Sequence, residues 1–564
     1  MIQLKPHISA IFMTESSSGV LRKPLNMSSV FEKLCDSSKS KMEFRLRLLG
    51  AFLLLLSWLT KPYYFIIDLL PHKYCTRIKD EILKMSITEL ASKIRKGELK
   101  SSRVVKAYIA RIREVNPLLN AVTDERFEEA VKEAEAVDRL IESKSKPVEL
   151  IEKETPILGV PITVKESCQV KDMSFAVGSI PRVGMKGLRD GAAVKEARDS
   201  GAIVLCVTNT PELCLSWEAH NIVTGVTRNP YSYYRTSGGS SGGEGALVGS
   251  AGSPGGISSD IGGSIRVPAL FNGVFGHKPT PGYIPMEGHY PREPSFDNFL
   301  SIGPLVRYAE DLPLMMRALS TKDSLEKLRL EVPVDFKKMN VFYQENAGYS
   351  LVAISVEEDI VQSIRRANKH LEKKGCKVSK TDIPLLADSI EIGASVLLEI
   401  EGVPDLLATS KTKSKDQQSL FGEIVKSHFN MSEFSYAGLM FTLLFSNKFF
   451  IPRKERLRYQ VLASKLKTQF QEMLGENGVF LYPTYPCSAV HHNESFNKLS
   501  GVMYPLIFNA LGMPSTHVAM GLGRNNLPVG FQVVAAPNQD RLCFAVAREL
   551  AKQFGGWVPP PSCD

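Results

Sequence analysis

Cysteine is sparse and scattered, with nine residues in 564, at Cys35, Cys75, Cys168, Cys206, Cys214, Cys376, Cys487, Cys543 and Cys563. None forms a CxxC pair, which excludes a zinc ribbon, and the odd count gives no disulfide framework. A dominant charge of one sign is also missing. Lys and Arg number 69 against 60 Asp and Glu, for a net charge of +9. The basic residues alternate with acidic ones, as in "VKEAEAVDRLIESKSK", which describes a solvated mixed surface and no nucleic-acid footprint. No GK[ST] follows the glycine clusters, so there is no P-loop. No Pro/Ser-rich linker divides residues 86–558 and no repeat recurs at a fixed period, so one large domain is expected there. His491 and His492 are expected at the surface, without a carboxylate or cysteine at ligand spacing; no metal and no cofactor is expected.

What is present begins at the N-terminus. Residues 1–41 are polar and Ser-rich, the composition of an unfolded tail. From Met42 the chain reads "MEFRLRLLGAFLLLLSWLT". The uninterrupted apolar run Leu48–Leu59 spans roughly 20 Å as a helix, short of the ~30 Å hydrocarbon layer. Continued to Leu70 it reaches roughly 34 Å, with Lys61 placed to snorkel and Trp58, Tyr63 and Tyr64 suited to an interface. A single-pass anchor, a surface-lying helix and a cleaved signal peptide all fit. The anchor, residues 42–74, is the expectation, because no small-residue cleavage site follows Thr60. The localisation that follows is an intracellular membrane. Sequons at Asn26, Asn430 and Asn493 matter only if the domain faces a lumen.

From about residue 86, helix and strand patterns alternate. "SITELASKIRKG" carries a capping box, Ser86 with Glu89, and a stop at Gly97. "GVPITVKES" (159–167) and "IVLCVTNT" (203–210) read as buried strands, and helical periodicity separates them. The order predicts an α/β fold, a central sheet covered by helices, with a catalytic domain over 75–558.

The chemistry gathers in two stretches, "GGSSGGEG" (238–245) and "GGISSDIGGSIRVPA" (255–269), and the second contains no histidine. "GGSSGG" matches G-x-S-x-G on Ser240 or Ser241, but a nucleophile elbow needs an apolar strand just before it, and "RNPYSYYRTS" reads as loop. Ser464 and Lys467 form an S-x-x-K by chance in a Lys-rich tract. A flexible linker is the idle alternative for 238–264. Against it stand Ala246, Leu247, Val248, Ile257, Ile261, Ile265 and Val267, apolar residues that a linker does not need. The glycines therefore sit inside a folded core, where they permit positive φ and close backbone approach. The successive amides of Ile261, Gly262, Gly263 and Ser264 are placed to face one developing negative oxygen.

These stretches resemble the amidase signature family, across the whole block from "GGSSGGEGALVGS" to "DIGGSIRVPALFNGVFGHKPT" and, more loosely, over residues 86–558. The resemblance is greatest to membrane-anchored members. It implies Ser264 as nucleophile, Ser240 as a bridging serine on a cis peptide, Lys165 as base, Ser241 as a supporting hydrogen-bond partner and Cys214 at a substrate-contacting position. It implies the family's fold, with a central mixed twisted sheet, fatty-acid amides as substrates and a lipid membrane as partner, and it leaves a homodimer open. A base at neutral pH must be uncharged, and lysine titrates near 10.4 in water; burial on the strand beside Val160, Ile162 and Val164 disfavours the ammonium. The Phe- and Leu-rich stretch 434–452 is either a core helix or a membrane-docking cap and acyl-channel wall. A small-amide amidase, the glutamine-hydrolysing subunit of a tRNA amidotransferase and a catalytically dead binding protein are the competing expectations.

Overall fold

The structure, a computed structural model, describes residues 39–292, 294–348, 354–397, 406–409, 419–429, 431–446 and 453–563. Its main sheet has eleven strands: β1 (Val122–Glu125), β2 (Pro161–Lys165), β3 (Ile203–Thr208), β4 (Gly255–Asp260), β5 (Phe275–Lys278), β6 (Ser301–Val306), β7 (Asn340–Tyr343), β8 (Lys377–Lys380), β9 (Gly478–Tyr482), β10 (Ser515–Leu522) and β11 (Pro528–Ala535). The spatial order is β8-β7-β9-β11-β10-β5-β6-β4-β2-β3-β1. Pairing is parallel within β8-β7-β9 and within β4-β2-β3, and antiparallel elsewhere, so the sheet is mixed as expected.

Strands β2, β3, β4, β6 and β11 are buried at every position. Continuous apolar runs such as "IVLCV" answer that double-sided burial, because helices cover both faces of a parallel segment. The core joins Ile162, Val164, Val204, Ile257, Leu305, Phe531 and Val533. Ser86 caps the helix Ile87–Arg95 by accepting from the Glu89 N–H at 3.0 Å. The Glu89 carboxylate pairs with Lys93 at 3.0 Å, so the box is closed from one side.

Residues 45–564 form one unit. It runs past residue 558: Cys75–Thr76 pairs in parallel with Ser562–Cys563. The expected tail falls, apart from its last three residues, outside the described residues. The apolar segment forms one helix, α1 (Lys39–Asp68), of which Gly50–Asp68 is long and apolar enough to cross a membrane. Phe52, Leu55, Trp58, Leu59, Phe65 and Ile66 are exposed, whereas Leu53 and Tyr64 are buried. Asp68, at its end, bonds His491 Nε2 at 2.8 Å and Arg235 Nη2 at 3.2 Å, and Tyr64 stacks on the His491 ring at 4.7 Å.

That docking corrects the expectation for the histidine pair. His491 is buried, held by Asp68 and by Glu494 at 3.3 Å, and His492 lies 3.1 Å from the Glu218 carboxylate. Asp68 and Glu218 are partners that distance along the chain concealed, whereas Glu494 lies only three residues beyond His491.

Candidate active site

Lys165 ends β2, where the period of two and full burial leave its amine inside the protein; it is 0% exposed. Its Nζ lies 2.6 Å from Ser240 Oγ and 2.9 Å from Ser259 Oγ. Among the described residues it makes no ion pair, so neighbouring Glu166 does not take it. Ser240 precedes the helix α2 (Gly242–Gly249), and the Gly239–Ser240 peptide is cis. Ser241, at the N-terminus of α2, joins the two glycine-rich stretches, its N–H donating to the Ser264 carbonyl at 3.2 Å and its hydroxyl to the Ser259 carbonyl at 3.4 Å. The predicted loop before Ser240 is a loop, and Ser464, on the helix Arg453–Leu474, only bonds the Gln460 carbonyl.

Ser264 sits in the turn between β4 and the helix α3 (Arg266–Phe271). Asp260 shapes that turn. Its carboxylate accepts from the N–H of Gly263 at 2.7 Å, of Ile265 at 3.1 Å and of Arg266 at 3.4 Å. Burial alone would raise its pKa, but the Arg266 guanidinium and the Gly263 and Ile265 amides outweigh burial and hold it well below the carboxylate range. Gly263 adopts φ +104°, and a Cβ there would stand 2.6 Å from Pro505 Cγ, so only glycine fits.

One expected element changes. The Gly263 N–H belongs to Asp260, so it does not join a shared cradle. The N–H groups of Ile261, Gly262 and Ser264 donate no hydrogen bond within the described residues. Trp217, unremarked in the sequence, donates its indole N–H to the Gly262 carbonyl at 3.0 Å. It thereby fixes the Gly262–Gly263 peptide plane from the carbonyl side while Asp260 holds the amide side.

Three more residues surface only in the fold. Ser259, on β4, links Lys165 to His289, whose Nε2 is 2.9 Å from Ser259 Oγ. Glu244, on α2, accepts from Thr163 at 2.8 Å and Thr208 at 2.9 Å; burial raises its pKa to about 7 against these hydroxyls and the Lys165 charge. It approaches β4 so closely that a Cβ on Gly256 would lie 2.0 Å from Glu244 Oε2. Glu212 likewise has its pKa raised by burial to about 7, although the Ser435 N–H and the Ser179 hydroxyl oppose this. It ties the turn Glu212–Cys214 to the segment leading into the helix Tyr436–Ser446. Cys214 is half-buried on that turn, its Sγ 3.4 Å from Thr210 Oγ1. Of the stretch 434–452, residues 447–452 lie outside the described residues.

The site brings a buried lysine to the hydroxyls of Ser240 and Ser259 and ties Ser241 to the Ser264 carbonyl. The amidase family profile matches residues 103–544, and the chain belongs to the amidase signature family. It is an amide hydrolase. Among curated proteins it is 39% identical over 496 residues to fatty-acid amide hydrolase 2-A of Danio rerio, covering 86% of this chain and 91% of that one. It is 36% identical over 492 residues to fatty-acid amide hydrolase 2 of Homo sapiens, with the same coverage. A solved fatty acid amide hydrolase shares the fold at TM-score 0.67 and 23% identity, over 84% of this chain and 86% of that one.

Proposed function

We propose that the chain hydrolyses long-chain fatty-acid amides, N-acylethanolamines and primary amides, at a lipid surface, through an acyl-enzyme on Ser264. The observation that carries the reading is the 2.6 Å contact of Lys165 Nζ with Ser240 Oγ, with no ion pair to Lys165 among the described residues. Lys165 takes the Ser240 proton as Ser240 takes that of Ser264, and Ser264 Oγ attacks the amide carbon. The oxyanion rests on the N–H groups of Ile261, Gly262 and Ser264. As the C–N bond breaks, the proton returns through Ser240 to the leaving nitrogen, without which an amine is a poor leaving group. Water then attacks the ester, surrendering its proton along the same path, and the fatty acid leaves.

The named relatives support the fatty amide class, and the exposed apolar side of α1 supports lipid contact. Phe421, Phe429 and Met431 are exposed as well. The test pairs two measurements. Ser264→Ala should abolish labelling by a fluorophosphonate; labelling at the full rate would overturn the nucleophile. Hydrolysis across N-acylethanolamines of increasing chain length should favour the long ones, and preference for short acyl groups would move the reading to small amides.

A further inference from the structure

Lys165 Nζ touches two hydroxyls, not one. Beyond the Ser240 contact, Ser259 Oγ lies at 2.9 Å, and Ser259 Oγ is in turn 2.9 Å from His289 Nε2. The other ring nitrogen, Nδ1, is 2.9 Å from the Pro291 carbonyl oxygen. A carbonyl oxygen only accepts, so Nδ1 carries the ring proton and Nε2 presents its lone pair. Burial is the main cause that lowers the ring's pKa to about 3, which keeps the imidazole neutral. Ser167 Oγ also approaches Nε2, at the longer distance of 3.1 Å, and it has a second partner in the Cys168 thiol.

A hydroxyl has one proton to give. If Ser259 gives it to Nε2, only oxygen lone pairs face Lys165, and Ser259 can do no more than accept an amine N–H. If Ser259 were free to turn, its proton would enter the amine lone pair and the base would be occupied.

We propose that His289 is a positioning residue: by taking the Ser259 hydroxyl proton, it makes Ser259 a pure acceptor toward Lys165 and reserves the amine lone pair for Ser240. The proposal rests on Lys165 and Ser240 serving as base and relay. His289 contacts none of the reacting atoms and acts through Ser259.

The test compares folded variants in steady-state hydrolysis of a long-chain amide. His289→Leu, which keeps the volume filled without an acceptor, should lower kcat by about tenfold or more and leave KM within about twofold. His289→Gln, whose amide oxygen can accept from Ser259, should recover most of the loss. Removing the competing hydroxyl in the double variant Ser259→Ala/His289→Leu should also make the enzyme faster than His289→Leu alone. Ser167→Ala should stay near wild type. A double variant as slow as or slower than His289→Leu, or a Ser167→Ala loss as large as that of His289→Leu, overturns the proposal. The underlying triad is judged separately by Ser264→Ala labelling, which none of these comparisons uses.

Discussion

Arg266 grips Asp260 in a two-pronged contact, Nε to Oδ2 and Nη2 to Oδ1 both at 3.0 Å, with neither side chain exposed. The same guanidinium donates to Gln532 Oε1 at 2.8 Å, so the turn bearing Ser264 is tied to β11. Arg266→Met leaves the Asp260 charge buried without its cation. A loss of about 3–5 kcal/mol of stability is expected, read by chemical denaturation, together with loss of fluorophosphonate labelling. Wild-type stability in this variant would contradict the role assigned to the pair.

Lys165→Ala separates attack from departure. An ester's alkoxide leaves with little help, whereas an amine must be protonated as it goes. Matched amide and ester substrates should lose unequal rates, the amide by about a hundredfold more. Equal losses would count against proton return through Ser240.

Trp217→Phe keeps the ring and removes the N–H that holds the Gly262 carbonyl. Stability should fall by about 1–2 kcal/mol. The rate of labelling at Ser264 should fall by about tenfold, less than deletion of a direct oxyanion donor costs. Unchanged labelling would show that the Gly262–Gly263 plane is held without the indole.

Glu244 gives a pH signature. Its pKa is about 7 folded against an ordinary 4.5, so the folded protein holds this proton more tightly than the unfolded chain does. The stabilisation is complete below about pH 4.5 and is lost as pH rises through 7. Glu244→Gln stays neutral throughout. Relative to wild type it should gain about 1–3 kcal/mol above pH 7 and none near pH 4.5, read as the difference in denaturation midpoints. The comparison subtracts Glu212, whose shift has the same direction. A constant offset between the two proteins from pH 4.5 to 8 would contradict this assignment.

What could be read from the chain was what is contiguous in it. Ser240 and Ser264 lie in glycine-rich stretches whose pattern survives in the linear text, and Lys165 ends a run whose composition already announces a buried strand. Trp217 and His289 carry no such local mark, and Ser259 and Glu244, though inside those stretches, are not set apart there from their neighbours. Each matters through a partner on another element: the Gly262 carbonyl, Ser259, Lys165, and Thr163 with Thr208. His491 misled for the same reason, since a polar doublet looks solvated until α1 covers it and supplies Asp68. Gly263 was assigned to the cradle because a row of amides does not reveal which one a carboxylate three residues back has claimed. Strand order was equally hidden; β4 pairs with β2 and β6 through contacts that periodicity cannot rank.

The parallel seam between Cys75–Thr76 and Ser562–Cys563 brings the final residues back to the point where the chain has just left α1, which stops at Asp68. A label placed at Ser562 would therefore lie across from Cys75, on the stretch that follows that helix. Limited proteolysis of such a label would report on access to that stretch, whereas removing Ser562–Cys563 would leave Cys75–Thr76 without its parallel partner.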